Sequence, residues 1–249
     1  CVNDLLVQGA KPLFFLDYVA SARLESEVLG TVLASLADAC KAVGIPLLGG
    51  ETAEMPGVYH AGGLDLVGTI VGLVDKANII DGSKVQPGDL LLALPSSGLH
   101  TNGYSLARKV FEGWDLEEPR AELRGQSLAG VLLEPHRCYL EAVSKLLDAG
   151  VEVKAMAHIT GGGVYENLPR VLPEGLGAEI QPDTWPMPPI FPLIQHTAKV
   201  ERNEMFRVFN MGLGYILVLG ESEAVKVATL LPESYRVGYI MERSGITVR

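Results

Sequence analysis

A chain of 249 residues with 48% hydrophobic and 20% charged residues is long enough for two ordinary domains and too apolar for a disordered segment. Its formal net charge of −10 provides no broad positive field, which argues against a general nucleic-acid or anionic-membrane binder. No apolar run approaches the roughly 20 residues of a membrane span and no secretory pattern opens the chain, so a cytoplasmic protein is expected.

Val2, Leu5 and Leu6 fall at helical spacing ahead of Gly9 and Pro12, so the chain starts inside a helix and a preceding segment is expected. Residues 13–16 read as a short buried strand ending at Asp17. Val28, Leu29, Val32, Leu33, Leu36, Cys40 and Val43 then mark one helix face over 26–43, stopped by Gly44 and Pro46. Cys1, Cys40 and Cys138 lie far apart with no metal-ligand spacing, so neither a disulfide framework nor a zinc site is expected. Residues 45–48 form an apolar strand that runs into Gly49, Gly50, Glu51 and Thr52, read as a glycine turn with a carboxylate at its exit. Residues 64–74 are strand-like, with Gly68 and Gly72 where backbones approach closely. Periodicity is lost over 75–88, which holds Asp81-Gly82 and Pro87-Gly88. A boundary there gives domains 1–80 and 81–249.

The second domain opens with a strand over 90–94, a polar loop containing Gly98, His100, Thr101, Asn102 and Gly103, and a helix face of Tyr104, Ala107, Val110 and Phe111. Residues 112–131 read as loop. Tyr139, Ala142, Val143, Leu146 and Leu147 follow a helical template that ends at Gly150. A strand over 151–159 delivers His158 to a second loop, Thr160, Gly161, Gly162 and Gly163, followed by a helix over 164–171. Five prolines between 182 and 192 preclude continuous regular structure and predict a surface segment. Helices around 190–198 and 202–206 lead to Asn210, Gly212 and Gly214. Strands over 215–219, 237–241 and 246–248 and a helix over 223–231 complete an α/β domain.

Four polar glycine turns beside apolar strands point to a cleft for a phosphorylated ligand, since helix-start amides and glycine backbones cradle anions. Neither the phosphate-loop pattern nor a strand-linked G-x-G-x-x-G occurs, so a nucleotide has to be held differently. His100 and His158 sit in such turns, where imidazole bonds phosphate or moves a proton near neutral pH. His60, His136 and His196 are read as structural or solvent-exposed. Asn3, Asp4, Glu51 and Glu54 are the oxygen ligands on offer to magnesium. Ser96-Ser97 lacks the strained context of a nucleophilic serine.

The blocks Cys1-Val2-Asn3-Asp4, Gln8 through Tyr18 and Gly49-Gly50-Glu51-Thr52-Ala53-Glu54-Met55-Pro56 resemble aminoimidazole ribonucleotide synthetase, the phosphoribosylformylglycinamidine cyclo-ligase family. Ser96 through Leu106, 157–172 and Met205 through Gly212 resemble the same family in the same order. The resemblance implies a two-domain ATP-using synthetase fold of α/β (α+β) class, with a mixed N-terminal sheet and a C-terminal α/β sandwich. It implies ATP- and Mg2+-dependent ring closure of a small ribonucleotide, in which the formyl oxygen of formylglycinamidine ribonucleotide is phosphorylated and an amidine nitrogen attacks. In that reading Asn3, Asp4, Gly49, Gly50, Glu51 and Thr52 bind ATP, with Asp4 and Glu51 on magnesium. His100 and His158 are catalytic, and Asn102, Gly103, Thr160, Gly161, Gly162, Gly163 and Asn210 meet substrate or phosphate. Family members carry a further N-terminal segment that helps bind ATP, and form a homodimer through the N-terminal domain. Selenophosphate synthetase, thiamine phosphate kinase, a formylglycinamidine synthetase domain and an inactive scaffold remain alternatives.

Overall fold

The computed structural model describes residues 1–249, which divide into two units, Cys1–Ile79 and Ile80–Arg249. The first is built on a three-stranded sheet of order β2-β1-β3, with β1 (Lys11–Ser21), β2 (Leu47–Glu54) and β3 (Leu64–Leu73). Central β1 runs parallel to β2 and antiparallel to β3. Parallel neighbours need a crossover, and α2 (Ser26–Ala42) supplies it. The short α1 (Val2–Leu6) packs on β1 and β3.

Two expectations for this unit are corrected. Strand β1 runs on through Asp17 to Ser21, because partners on both sides take up its backbone polar groups whatever the side chains. The run Gly49, Gly50, Glu51 and Thr52 is not a turn: it lies inside β2, paired in register with Leu16, Asp17, Tyr18 and Val19. A Cβ on Gly50 would run into the carbonyl and carboxylate of Asp17, so glycine here permits close strand approach rather than a chain reversal. Gly68 and Gly72 serve as expected, against Phe15 in one case and Lys11 and Leu5 in the other. The apolar face of α2 buries only Cys40. Leu48, Leu64, Leu66, Val67 and Leu73 leave this sheet with exposed apolar side chains.

The second unit holds a six-stranded sheet of order β5-β7-β4-β8-β6-β9. Its strands are β4 (Leu90–Pro95), β5 (Val153–His158), β6 (Gly177–Ile180), β7 (Leu213–Leu219), β8 (Tyr235–Met241) and β9 (Gly245–Val248). All neighbours are antiparallel except the parallel pair β6 and β9. Every residue of β7 is buried, as its unbroken apolar run requires of a strand covered on both faces.

Leu91, Ala93, Ala157, Ile216 and Val218 share one core with residues of α3 (Tyr104–Val110), α6 (Gly163–Asn167), α7 (Ile190–Ala198) and α8 (Arg202–Val208). Helix α5 (Leu140–Asp148) buries Val143 and Leu146 and packs on α9 (Glu221–Leu230), which rests on β4. Residues 112–131, read as loop, contain a 3-10 turn at Ala121–Leu123 and the short α4 (Leu128–Leu132), capped by the Ser127 hydroxyl. Such short pieces carry too few turns for periodicity to register. The proline segment runs over the surface as expected, with Asp183, Thr184 and Pro186 exposed, and is pinned there by buried Trp185, whose indole N–H donates to the Met211 carbonyl at 2.9 Å.

Candidate functional site

The antiparallel register of the second sheet puts the ends of β4 and β5 beside the start of β7, because Pro95 pairs with Leu213 and His158 with Tyr215. The loops carrying 96–103, 159–163 and 209–212 therefore share one end of the sheet. Asn210 ties two of them together. Its Oδ1 accepts from the Ser96 hydroxyl at 2.9 Å and the Gly212 N–H at 2.8 Å, and its Nδ2 donates to the Gly98 carbonyl at 2.9 Å. With the residue 2% exposed, that amide is committed to the protein's own loops, and Asn210 is placed as a clamp rather than an outward-facing ligand.

Asn102 donates to the His100 carbonyl at 2.8 Å, and its Oδ1 lies 3.0 Å from where a Cβ on Gly161 would stand. The loop 160–163 is held from behind by buried Asn167, a residue that sequence reasoning missed. Its Nδ2 reaches the carbonyls of Thr160, Gly161 and Gly163, and its Oδ1 accepts from the Thr160 hydroxyl at 3.1 Å. With those carbonyls drawn inward, the Gly163 N–H bonds Thr160, whereas no backbone carbonyl takes up the amides of Gly161 and Gly162. Gly162 and Gly103 cap α6 and α3 with φ of 91° and 78°. Packing accounts for Gly103 and Gly163, whose missing side chains leave room for the Phe209 ring and the Phe206 carbonyl.

The loop after β4 carries His100 and Thr101 consecutively at positive φ, 54° and 62°. Two non-glycine residues in that region are uncommon, and the turn drives the His100 imidazole inward until the residue is 2% exposed. Its Nε2 lies 2.9 Å from the Ser97 N–H, which can only donate, so the neutral ring carries its hydrogen on Nδ1. Nδ1 is buried without a hydrogen-bond partner. Burial, reinforced by His136, His158 and Arg137, pushes the His100 pKa down to about 3. His100 is thus a neutral ring at physiological pH.

His136 corrects the reading that made it a structural or surface residue. It is half-buried on the loop before α5 and stacks on His100 with centroids 4.0 Å apart and planes 20° from parallel. Its Nε2 lies 3.0 Å from the Nε2 of buried His158. The Tyr139 and Tyr215 rings, 5.1 Å apart, continue the cluster, and Arg137 lies over Tyr139 while pairing with Glu233 at 3.1 Å. Burial raises the Tyr139 pKa and keeps its hydroxyl a donor to the Pro95 carbonyl at 2.8 Å. His60 and His196 are exposed.

The ring nitrogens of His100, His136 and His158 come within 4.8 Å of one another, close enough to consider a metal. Imidazole lone pairs lie in the ring plane, however, and those of two stacked rings do not converge on one ion. The arrangement suits proton handling instead.

In the first unit, Gly49, Gly50, Glu51 and Thr52 lie exposed along edge strand β2, and Glu51 Oε1 accepts the Thr52 N–H at 3.0 Å. Asn3 is buried and Asp4 exposed on α1. The two carboxylates proposed for magnesium thus stand on separate elements, each presenting oxygen to solvent.

Comparison with known proteins places the chain in a family. Residues 1–74 match the N-terminal domain, and residues 86–249 the C-terminal domain, of AIR synthase related protein. Phosphoribosylformylglycinamidine cyclo-ligases from two Synechococcus strains are 49% and 47% identical over 245 residues. These alignments span 97% of this chain and 68% and 69% of the relatives. Among solved structures, the hydrogenase maturation protein HypE in complex with ATP superposes with a TM-score of 0.73 at 20% identity, over 96% of this chain and 68% of that one. Thiamine-monophosphate kinase from Stenotrophomonas maltophilia K279a does so at 0.74 and 17% identity, over 99% and 75%. These two share the fold. The chain belongs to the family of AIR synthase related proteins.

Proposed function

We propose that this protein closes the imidazole ring of aminoimidazole ribonucleotide from formylglycinamidine ribonucleotide, using ATP and releasing ADP and phosphate, as a ligase of purine biosynthesis. The observation that carries this reading is the 49% identity, running through 97% of the chain, to a relative named for that reaction. The site chemistry is compatible with it. Bound ATP supplies the phosphoryl group that makes the formyl oxygen a leaving group, and bound Mg2+ screens its charge. Asp4 and Glu51 would hold the ion: exposed carboxylates on separate elements are hard oxygen donors of the kind magnesium shares with phosphates. Asn3, Gly49, Gly50 and Thr52 would support the nucleotide.

The chain's own residues position the substrate and handle protons. Gly161 and Gly162 offer amides, and Thr160, Gly163 and Asn102 shape the loop that presents them to a substrate phosphate. His158 takes the proton that the attacking nitrogen gives up. His100, held neutral, supports that imidazole through His136, and Asn210 and Gly103 keep the loops in place. The exposed apolar residues of the first sheet support a homodimer through the N-terminal domain. No helix is long and apolar enough to cross a membrane, in keeping with a cytoplasmic enzyme.

ADP release dependent on formylglycinamidine ribonucleotide tests the reading. Wild-type protein should turn over, and His158→Ala should lose about a hundredfold or more in kcat. Equal ring closure by that variant would remove His158 from the chemistry, and no substrate-dependent ADP from any form would remove the reaction. Titration calorimetry with ATP and magnesium, and sedimentation of the purified protein, check the ligands and the dimer.

A further inference from the structure

We infer that Asn167 is a positioning residue for substrate binding: its buried amide turns the loop from Thr160 to Gly163 so that the Gly161 and Gly162 N–H groups face a substrate phosphate. The inference rests on the ring-closure reading above and takes from it only that the substrate is a ribonucleotide. Three consecutive glycines have no peptide orientation of their own, because without a Cβ each samples positive and negative φ alike. Something outside the loop has to choose. Asn167 stands one turn after the start of α6, where Cα–Cβ bonds lean toward the start of the helix, so its side chain reaches back over the loop.

The partners settle which end of the amide faces the loop. The carbonyls of Thr160, Gly161 and Gly163, at 3.3, 3.1 and 2.8 Å from one atom, can only accept, so that atom is Nδ2. The Thr160 hydroxyl then donates to Oδ1 at 3.1 Å. Every peptide bond in the chain is trans, and in a trans peptide the N–H points opposite to the C=O that shares its plane. Drawing in the Thr160 carbonyl therefore turns the Gly161 N–H away from Asn167, and drawing in the Gly161 carbonyl does the same to the Gly162 N–H. Neither of these amides meets a backbone carbonyl, whereas the Gly163 N–H returns to the Thr160 carbonyl at 3.0 Å. Gly161 is exposed and Gly162 half-buried, while Asn167 is 5% exposed. The donors thus lie on the open side of the loop and the clamp on the closed side. A phosphate monoester, which accepts through several oxygens and carries negative charge, is the ligand chemistry that two adjacent N–H donors suit. Such donors hold the phosphate equally before and during ring closure, so losing them weakens binding rather than the chemical step.

Asn167→Asp keeps the shape of the side chain and puts an acceptor where the donor stood. Its KM for formylglycinamidine ribonucleotide should rise roughly tenfold to a hundredfold, with kcat within about threefold of wild type. Thr160→Val removes the hydroxyl that orients Oδ1 and should raise KM about threefold to tenfold, and Thr160→Ser, which keeps a hydroxyl, should recover most of that rise. Nitrogen–proton spectra of the whole protein, titrated with inorganic phosphate, give a readout independent of turnover. The Gly161 and Gly162 amide resonances should shift with phosphate in the wild type and stay in place in Asn167→Asp.

An unchanged KM in folded Asn167→Asp overturns the inference, as does a loss of kcat with KM held, or a wild-type spectrum in which phosphate moves neither glycine amide. Should Asn167→Asp not fold, the Thr160 pair carries the test, and equal KM for Thr160→Val and Thr160→Ser overturns it. If the spectra respond as expected in a protein that closes no ring, the positioning stands and the ring-closure reading fails.

Discussion

Replacing His100 with asparagine should flatten the acid limb of the protein's stability curve. Asparagine tolerates the positive φ of 54° at this position, so the turn survives while the titrating group is removed. In the unfolded chain His100 binds a proton near its ordinary value of 6.5, and in the folded protein only near about 3, because it is buried and faces His136, His158 and Arg137. Between those limits the unfolded state carries one more proton than the folded state. Stability from this residue is therefore complete above about pH 6.5 and declines as pH falls, by about 1.4 kcal/mol per pH unit. Over the full window this is on the order of 5 kcal/mol, and between about pH 6 and pH 4.5 about 2 kcal/mol.

Guanidinium unfolding followed by tryptophan fluorescence reads the effect, since both tryptophans, Trp114 and Trp185, lie in the unit that contains His100. His100→Asn should be less stable near neutrality through lost stacking, and the gap to wild type should close by about 2 kcal/mol as pH falls to about 4.5. Parallel curves for the two proteins over that range would refute the buried, neutral assignment of His100.

Gly50→Ala should loosen the pairing of β1 with β2, because its Cβ meets Asp17, at a cost of about 2 kcal/mol. Gly49→Ala, with open space around it, should not, and hydrogen exchange of the Asp17 to Ala20 amides separates the two. Asn210→Ala strips partners from the Ser96 hydroxyl, the Gly212 N–H and the Gly98 carbonyl, and should lower unfolding stability by about 2 to 4 kcal/mol. Lys154 pairs with buried Asp89 at 2.6 Å, so Lys154→Met strands a carboxylate and should cost about 3 kcal/mol by denaturant titration. Lys154→Met together with Asp89→Asn should recover part of that loss.

Helices and long strands were legible because burial imposes a period on the sequence. The face of α5 and the unbroken run of β7 each declare one partner surface, or two. Strand β1 was less legible because its second half is specified by pairing: Asp17 and Tyr18 sit in a strand on account of what lies beside them, not of their own propensity. The same reason misdirected Gly49 and Gly50. A glycine pair before a carboxylate has the composition of a turn, and only the position of Asp17 across the ladder shows that Gly50 is there to let two strands approach. Glycine marks a backbone that needs room, while the nature of the obstruction is a tertiary fact.

The candidate site divides along the same line. His100 and His158 stood out because each lies in a glycine loop next to a strand, a local signature. His136 has none: it follows Pro135 ahead of an ordinary amphipathic helix, 36 residues after His100 and 22 before His158. It reaches them because antiparallel β4, β7 and β5 bring the ends of two strands together, and because buried Tyr139, one turn further along, anchors the start of α5 to the Pro95 carbonyl. Anchoring Tyr139 fixes where the preceding loop must pass, which is over His100. A histidine shortly before a helix whose first buried aromatic docks at a strand end is thus a legible signal once the sheet order is known, and it weighs against assigning the proton chemistry to the glycine loops alone. By this logic Tyr139→Phe, which removes the hydroxyl but keeps the ring, should weaken the anchor, let the loop that carries His136 move over His100, and shift the imidazole resonances of His100 and His136 in nitrogen–proton spectra of the whole protein. Unchanged imidazole resonances in Tyr139→Phe would mean that the loop is held without that hydroxyl, by the His100 stack, the Arg137–Glu233 pair and the Ser97 hydroxyl on the Pro135 carbonyl.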